Sequence, residues 1–145
     1  MLPRRLPLCF PAWVAHPIMF DDADPMLVRV RELALAFPDA AEKVSHGTPA
    51  FYTTKVFAYY GGSIKVDGEW VRHDSSLLVL IDPDERDAML AEERCYFPAY
   101  LGPSGWLGVD LGADTDWAEI GELLDASYRR TAGVRRVAAL DRRTS

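Results

Sequence analysis

The stretch from Ala50 to Ile81 most constrains the fold, because the helical period disappears there and short β-type runs take over. The runs "AFYTTKVFAYY" (50–60) and "SLLVLI" (76–81) are rich in aromatic and β-branched residues, which favour a pleated surface. Gly61-Gly62 and Asp67-Gly68 separate them with turn signals. The intervening "SIKVDGEWVRHDSS" is either a polar hairpin or an irregular loop. This block therefore predicts several neighbouring strands.

Helical patterns flank the β-rich block, and each begins with an aspartate that can cap the free amides of a first turn. Pro25 and Pro83 suit the first helical position, and Glu85 and Glu119 stand three residues after their caps, the spacing of a capping box. The helices are predicted to run from Asp24 to about Phe37, from Asp82 to about Arg94 and from Asp116 to about Gly133. After the first helix we expect a loop through "DAAEKVSHGTP".

The segment "YFPAYLGPSGWLGVDL" (96–111) predicts one or two further strands, with Leu107, Val109 and Leu111 facing one way and Trp106 the other. The chain thus reads helix, strands, helix, strands, helix. Helices are too few and too clustered for repeated βαβ units. The fold class predicted is α+β in two layers, with helices packed on one face of a largely antiparallel sheet.

Length and composition fit one globular domain, since the 145 residues are 49% hydrophobic and 26% charged. We expect an N-terminal extension over residues 1–20, flexible or reflecting a start placed too early, a single domain over 21–134 and a basic tail over 135–145. Prolines interrupt the apolar N-terminal stretch, which disfavours a secretory signal, and the stretch is too short to span a bilayer. Two cysteines offer no disulfide framework, so we expect a cytoplasmic protein.

Charge is unevenly distributed along the chain. The net charge is −6, but residues 21–127 hold 21 acidic and eight basic side chains, a formal charge of −13. Residues 128–145 instead contain six arginines and one aspartate. An acidic body joined to a basic end indicates either an anion-binding tail or charges that complement each other within the molecule.

Several ordered motifs resemble the MmcQ/YjbR family of small bacterial proteins. They are "FPDAAEKVSHGTPAF" (37–51), "KVFAYY" (55–60), "FPAYLGPSGWLGVDL" (97–111) and "LLDASYRRTAG" (123–133). The resemblance, over roughly residues 26–133, implies a compact fold of the double-wing or secretion-chaperone-like type, compared with frataxin-like CyaY, in the order α-β(3)-α-β(2)-α. The family is often labelled DNA-binding from fold similarity, which does not fix function. It implies no catalytic residues.

The stretch "SHGTPAF" (45–51) raises the question of chemistry. A serine nucleophile and a histidine base must be brought together by the fold and oriented by a third group, and adjacent Ser45 and His46 diverge in an extended chain. The simpler interpretation is a turn into the sheet, so we expect no enzyme activity. The histidines and Cys95 show no convergent spacing for a metal, and acids at a helix start already serve capping and the dipole. We expect no metal and no cofactor.

Two binding hypotheses remain, and we expect no membrane partner. Nucleic acid would bind through arginines at the end of the last helix, although a pI near 5.0 disfavours it; these are Arg129, Arg130, Arg135 and Arg136. Alternatively, a protein-interaction or chaperone-like module would use an exposed sheet face carrying His46, Tyr100 and Trp106. That face would be unavailable if the loop 62–75 or the N-terminal extension covers it. Oligomeric state is left open.

Overall fold

The computed structural model describes residues 17–144, so most of the predicted N-terminal extension lies outside the described residues. The helices are α1 (Pro25–Ala34), α2 (Pro83–Met89), α3 (Trp117–Thr131) and α4 (Val134–Thr144). The strands are β1 (Ala41–Ser45), β2 (Thr48–Tyr52), β3 (Val56–Val66), β4 (Glu69–Leu80), β5 (Cys95–Tyr96) and β6 (Trp106–Asp110). None of the helices described is long and apolar enough to cross a membrane.

All six strands form one antiparallel sheet in the order β1-β2-β3-β4-β6-β5. The predicted α+β class is confirmed, with one strand more than expected before α2, because residues 41–45, predicted as loop, pair with β2. The long β3–β4 hairpin turns at Asp67-Gly68, with φ of 51° and 82°. Positive φ at both central residues is the pattern of a type I′ turn, which matches the twist of paired strands. The hairpin interpretation of residues 63–76 is therefore the one that holds.

The main core lies between the sheet and the helices α1 and α3. Alternation along β6 is confirmed, since Leu107, Val109 and Leu111 belong to this core. From α3, Ile120, Leu124 and Tyr128 are fully buried. The opposite face of the sheet carries a smaller apolar cluster formed by Leu78, Tyr96 and Trp106. The sheet therefore has apolar side chains on both faces, although the helices formed by residues 17–144 pack mainly on one.

Caps form where the sequence predicts them, but some helix ends differ. Asp82 and Asp116 each accept hydrogen bonds from two first-turn amides. Helix α2 ends at Met89, short of the predicted Arg94, and the capping box at α3 does not close because Glu119 turns to Arg94 instead. Residues 134–144 form α4 where the sequence predicts a basic tail over 135–145, and Leu140 of this helix is only 7% exposed. The basic end of the chain is thus part of the folded structure.

Candidate functional site

An open cleft of about 850 Å³ lies on the side of the sheet that carries the smaller apolar cluster. Four segments line it: residues 19–20, the β1–β2 turn, the middle of the β3–β4 hairpin and the loop 98–101. The principal side chains are Met19, His46, Tyr59, Trp70, Arg72, Leu78, Tyr100 and Leu101. We call this region the aromatic cleft. Its volume falls in the range of sites that hold small ligands or peptide side chains.

The most exposed wall of the cleft is an aromatic pair formed by Trp70 and Tyr100. Their ring centroids are 5.6 Å apart with a 33° angle between planes. Trp70 remains 48% exposed and Tyr100 80% exposed, although both are large apolar surfaces. Lys65 places its ammonium 5.3 Å from the Trp70 ring centroid. Two accessible rings held side by side suit contact with another ring or apolar group.

Tyr100 adopts a backbone conformation that its residue type disfavours. Its φ is 67°, in the left-handed region, where a bulky side chain costs about 1–2 kcal/mol. The loop is held in place by backbone hydrogen bonds, among them Ala99 N–H to the Ser63 carbonyl at 2.8 Å. Sparsely populated backbone conformations cluster at active sites and ligand-binding sites, so Tyr100 is a candidate functional residue.

The N-terminal wall of the cleft is a segment pinned at Met19. Its N–H donates to the Gly47 carbonyl at 2.9 Å, and its carbonyl accepts from Arg72 Nη2 at 3.2 Å. A side chain at Gly47 would be impossible here, since an added Cβ would lie 2.4 Å from the Pro17 carbonyl oxygen. Pro17 thus lies against the β1–β2 turn, and Met19 forms the edge of the cleft.

Most charged and hydroxyl groups around the cleft already have partners. Arg72 Nε donates to Asp74 Oδ1 at 2.8 Å, and Thr48 Oγ1 donates to the Ser45 carbonyl at 3.1 Å. The Tyr60 hydroxyl donates to Asp24; burial first, and then this carboxylate, raise the pKa of Tyr60 far above its usual value. Tyr59 also has a raised pKa because it is desolvated by burial. The cleft thus offers neutral, mainly apolar surface.

His46 lies at the rim, inside a tight turn. It and Gly47 are the central residues of the β1–β2 hairpin, with φ of 51° and 86°, again the type I′ pattern. The predicted interpretation of "SHGTPAF" as a turn leading into the sheet agrees with this geometry. His46 is exposed and borders the cleft together with Ser45. Its position serves the hairpin, and it also places a polar ring at the rim of the cleft.

Trp106 does not lie on an open surface, which corrects the prediction of an exposed face around it. It is only 8% exposed and packs edge-on against Tyr59 at 5.2 Å between centroids. Nearby, the Tyr96 ring lies directly over Gly108, where an added Cβ would come within 2.3 Å of it. Of the three predicted surface residues, His46 and Tyr100 line the cleft, whereas Trp106 is buried against Tyr59, which lines it.

The predicted arginines fall into two groups. Arg129 pairs with Asp125 at 2.6 Å and with Asp141 at 2.9 Å, and Arg136 pairs with Asp39 at 3.1 Å. Arg130 and Arg135 are exposed and form no ion pair among the residues described. The four arginines therefore all lie near the junction of α3 and α4, but only Arg130 and Arg135 have no carboxylate partner among the described residues.

A histidine–carboxylate pair lies elsewhere on the sheet. His73 Nδ1 is 2.8 Å from Asp110 Oδ1, and its ring stacks on Tyr96 with centroids 4.0 Å apart. The Tyr96 hydroxyl shares a 2.7 Å hydrogen bond with buried Ser76, and burial raises the pKa of Tyr96 well above its usual value. Within residues 17–144, no three His, Cys, Asp or Glu side chains are grouped to hold a metal. Two residues alone do not make a metal centre.

Sequence reasoning missed Trp70 and Arg72, which belong to the polar stretch read as hairpin or loop. The signal present was a lone tryptophan beside the Asp67-Gly68 turn, in a hairpin with little other apolar content. Such a residue has no core to enter if the hairpin projects from the domain. What could not be read locally is that the loop 98–101, some thirty residues later, approaches it.

Comparison with known proteins agrees with this architecture. The family model described as YjbR matches residues 35–130. A crystal structure of a protein from Pseudomonas syringae matches with a TM-score of 0.56 at 14% identity, covering 72% of this chain and 97% of that one. The Deinococcus radiodurans protein DR2400, with a DUF419 domain, matches with a TM-score of 0.52 at 19% identity, covering 70% and 75%.

No curated protein matches the chain. At these identities the two solved structures show a shared fold and nothing about ligands. The family model is different in weight, because it spans more than half of the sequence, including the β1–β2 turn, the central hairpin and most of α3. The chain therefore belongs to the YjbR family.

Proposed function

We propose that this protein is a non-enzymatic binding module whose aromatic cleft takes up an apolar or aromatic side chain of a partner. The observation that carries the proposal is Tyr100, an 80% exposed tyrosine held at positive φ beside Trp70. A protein gains little by fixing an exposed ring at an unfavourable φ. The binding energy of a ligand that packs against the Tyr100 ring would offset the cost of this backbone conformation.

The surroundings of the aromatic pair favour an uncharged ligand group. Arg72 and Asp74 neutralise each other, and the Tyr60 hydroxyl is occupied by Asp24. The rest of the lining is mainly apolar and includes Trp70 and Tyr100; its polar residues are Ser45, His46, Thr48 and Ser63. Rings of this kind, presented in a concave site, dominate binding energy in protein interfaces.

The test uses N-phenylnaphthylamine, an uncharged fluorescent probe of apolar sites. We expect saturable binding to the full chain and a loss of about tenfold or more in affinity for Trp70→Ala and for Tyr100→Ala. The matched control is Val28→Ala, an exposed apolar residue on α1 outside the cleft. Equal binding by all four proteins would contradict the proposal.

Tyr100→Gly separates ligand binding from stability. Glycine relieves the positive φ, so we expect the free energy of unfolding to rise, or at least not to fall, while probe binding is lost. The readouts are the midpoint of urea unfolding and the probe titration. A large loss of stability in Tyr100→Gly would mean that the tyrosine serves the fold, and the functional interpretation would then fail.

Nucleic-acid binding is a second candidate, and one observation favours it: Arg130 and Arg135 are exposed beside the α3–α4 junction without carboxylate partners among the described residues. Phosphate contacts through them would make affinity fall with salt. We expect labelled duplex or single-stranded DNA, at low salt, to bind the full chain and to bind Arg130→Gln/Arg135→Gln more weakly. Arg29→Gln on α1 is the control. Absence of binding at low salt rejects this candidate.

A further inference from the structure

We propose that the protein forms a symmetric dimer in which one edge of the β3–β4 hairpin, residues 68–74 on the β4 side, pairs antiparallel with the same residues of a second copy. We call these residues the β4 edge. The inference goes beyond the proposed function, because it concerns the backbone of this strand and not the ligand of the aromatic cleft.

The outer half of β4 has a neighbouring strand on one side only. Strand β6 pairs with β4 over residues 76–80, whereas residues 69–73 pair only with β3 in the part of the chain that the structure describes. Residues 69–72 and 74–75 are all exposed. An exposed edge of this kind is a template for pairing with another chain. Natural edges are often protected by lysine or proline, and residues 69–75 contain neither.

The backbone groups that face outwards on this edge follow from the turn. Val66 and Glu69 close the two-residue turn of the hairpin, so hydrogen bonding to β3 alternates from Glu69 onwards. The N–H and C=O groups of Trp70 and Arg72 therefore point away from β3. Within residues 17–144 no other backbone or side-chain group bonds to them. They are available to a second strand.

The length of the free edge selects one register. The edge begins at the turn residue Gly68, and it ends before Ser75, whose carbonyl accepts from the Leu111 N–H at 2.8 Å. The middle residue of this stretch is Val71. A two-fold axis at Val71 therefore uses the whole edge, with Gly68 of each copy opposite Asp74 of the other.

The side chains are self-complementary in this register. Val71 lies opposite Val71 of the second copy, in a non-hydrogen-bonded pair, where side chains approach most closely. Trp70 lies opposite Arg72 of the second copy, an arrangement that suits a cation–π contact. Glu69 lies opposite His73, so no like charges meet. An axis at Arg72 would instead place two guanidinium groups directly opposite each other.

Arg72 can make this contact without losing its present partners. Its Nε donates to Asp74 Oδ1 at 2.8 Å and its Nη2 donates to the Met19 carbonyl at 3.2 Å. Both bonds use N–H groups in the plane of the guanidinium, and a ring stacks on its face. The Arg72 side chain is 48% exposed, and so is Trp70. Both groups are therefore accessible to a second copy.

Sedimentation of the full chain tests the dimer. Edge pairings of this length fall at the low end of interface sizes, below ~1,200 Å². We therefore expect a dimer that dissociates on dilution between about 1 mM and 10 μM. Val71→Lys places two ammonium groups opposite each other across the axis and should weaken association by about tenfold or more. Val44→Lys is the matched control, since it adds the same charge at a 51% exposed valine on β1, the opposite edge of the sheet.

Amide hydrogen exchange in the wild type locates the contact without any substitution. The outward amides of Trp70 and Arg72 should gain protection as the protein concentration rises, whereas the Val71 amide, already bonded to β3, should change less. The Val44 amide, which points outwards from β1, is the reference and should exchange equally at both concentrations.

Three results would overturn the proposal. The first is a monomer at every concentration. The second is a dimer that Val71→Lys leaves as tight as the wild type, because the pairing would then use another surface. The third is protection of the Trp70 and Arg72 amides that does not depend on concentration, because the edge would then be covered within a single chain.

Discussion

Tyr96 shows how single residues build the second face of the sheet. Its ring crosses Gly108, and an added Cβ at Gly62 would lie 2.4 Å from its hydroxyl. Both positions therefore require glycine because any side chain there would collide with Tyr96. The hydroxyl ends on Ser76, which is fully buried and donates in turn to the His73 carbonyl at 2.7 Å. The Tyr96 ring and its hydrogen bonds thus help to cover this second face of the sheet.

Gly108→Ala is expected to destabilise the fold by about 1–3 kcal/mol, the usual cost of overpacking, because a methyl group there meets the Tyr96 ring and not a flexible chain end. Gly121→Ala is the control; this glycine lies in α3 with nothing within 4 Å of its added Cβ, so the same change should stabilise by about 0.5–1 kcal/mol. Urea unfolding measures both. Equal effects would show that the close approach is not rigid.

For Trp106, the sequence predicts the correct face of the sheet but not the burial of the side chain. Alternation along β6 places it correctly on the face opposite the main core. Alternation carries no information about what covers that face, and here Tyr59 and Leu101 do so. The predicted exposed aromatic thus became a buried one, while Tyr100, from the same quoted motif, remained exposed.

Helix α3 is attached to the sheet through a buried serine. The Ser127 hydroxyl donates to the Phe57 carbonyl at 2.6 Å and accepts from the Leu80 N–H at 2.9 Å. Leu80 is the last residue of β4, and its N–H forms its hydrogen bond with the Ser127 side chain. One side chain therefore links a helix to two adjacent strands.

Ser127→Ala is expected to cost about 1–3 kcal/mol of unfolding free energy, because it leaves the Leu80 amide and Phe57 carbonyl without this partner in a buried site. Ser104→Ala, on an exposed short helical turn, is the control and should be nearly neutral. The check is the urea midpoint of each variant. A neutral Ser127→Ala would mean that both groups find other partners.

Arg94 and Glu119 form a bidentate ion pair between the β5 region and the first turn of α3, with distances of 2.6 and 2.8 Å. The hydrogen bond from Arg94 holds the pKa of Glu119 below its usual value. Because the folded-state pKa is depressed, the pair stabilises the fold above the unfolded-state pKa of about 4.5 and loses this contribution as pH falls through the folded value.

Glu119→Gln should therefore lower the urea midpoint at pH 7 by an amount that shrinks as the pH falls below about 4.5 and through the lower folded-state pKa of Glu119. Both side chains are about one third exposed, so the loss at pH 7 is expected to be about 1 kcal/mol or less. Glu122→Gln, which removes an exposed carboxylate from the same helix outside this ion pair, is the control. A difference between wild type and Glu119→Gln that is constant with pH would contradict the role of this charge.

The two elements that sequence reasoning missed, β1 and α4, share a physical cause. The sequence of β1, "AEKVS", has little β-branched or aromatic content, and the strand exists because β2 pairs with it along one edge. In α4, charge dominates the composition, yet Leu140 enters the main core. Tertiary contacts determine both elements, so propensity within their own segments could not reveal them.

At the scale of the whole molecule, the basic end packs against the acidic body. Arg136 pairs with Asp39 after α1, Arg129 pairs with Asp125 of α3, and Arg143 donates to the Ala36 carbonyl at 2.5 Å. Of the two interpretations of the uneven charge, complementarity within the molecule thus accounts for Arg129 and Arg136. The cleft lies at a different place, and its position depends on segments far apart in sequence.

Docking of α4 is where the relative size of charge and burial can be measured. Arg136–Asp39 is a surface pair whose aspartate is 69% exposed, and pairs of this kind contribute about 1 kcal/mol or less and weaken with salt. Leu140 is 7% exposed in the main core, where truncation of a leucine costs about 2–5 kcal/mol. The apolar contact should therefore dominate the attachment of the helix.

We expect Leu140→Ala to release α4, seen as fast hydrogen exchange of amides 137–143, while the amides of β3 and β4 stay protected. Arg136→Gln should leave the α4 amides protected from exchange at low salt. Raising the salt concentration should likewise change the exchange rates of these amides in the wild type only slightly. If Arg136→Gln or salt alone exposes α4 as fully as Leu140→Ala does, charge rather than burial attaches the helix. The free energy of opening from the exchange rates gives the comparison directly, because it reports α4 separately from global unfolding.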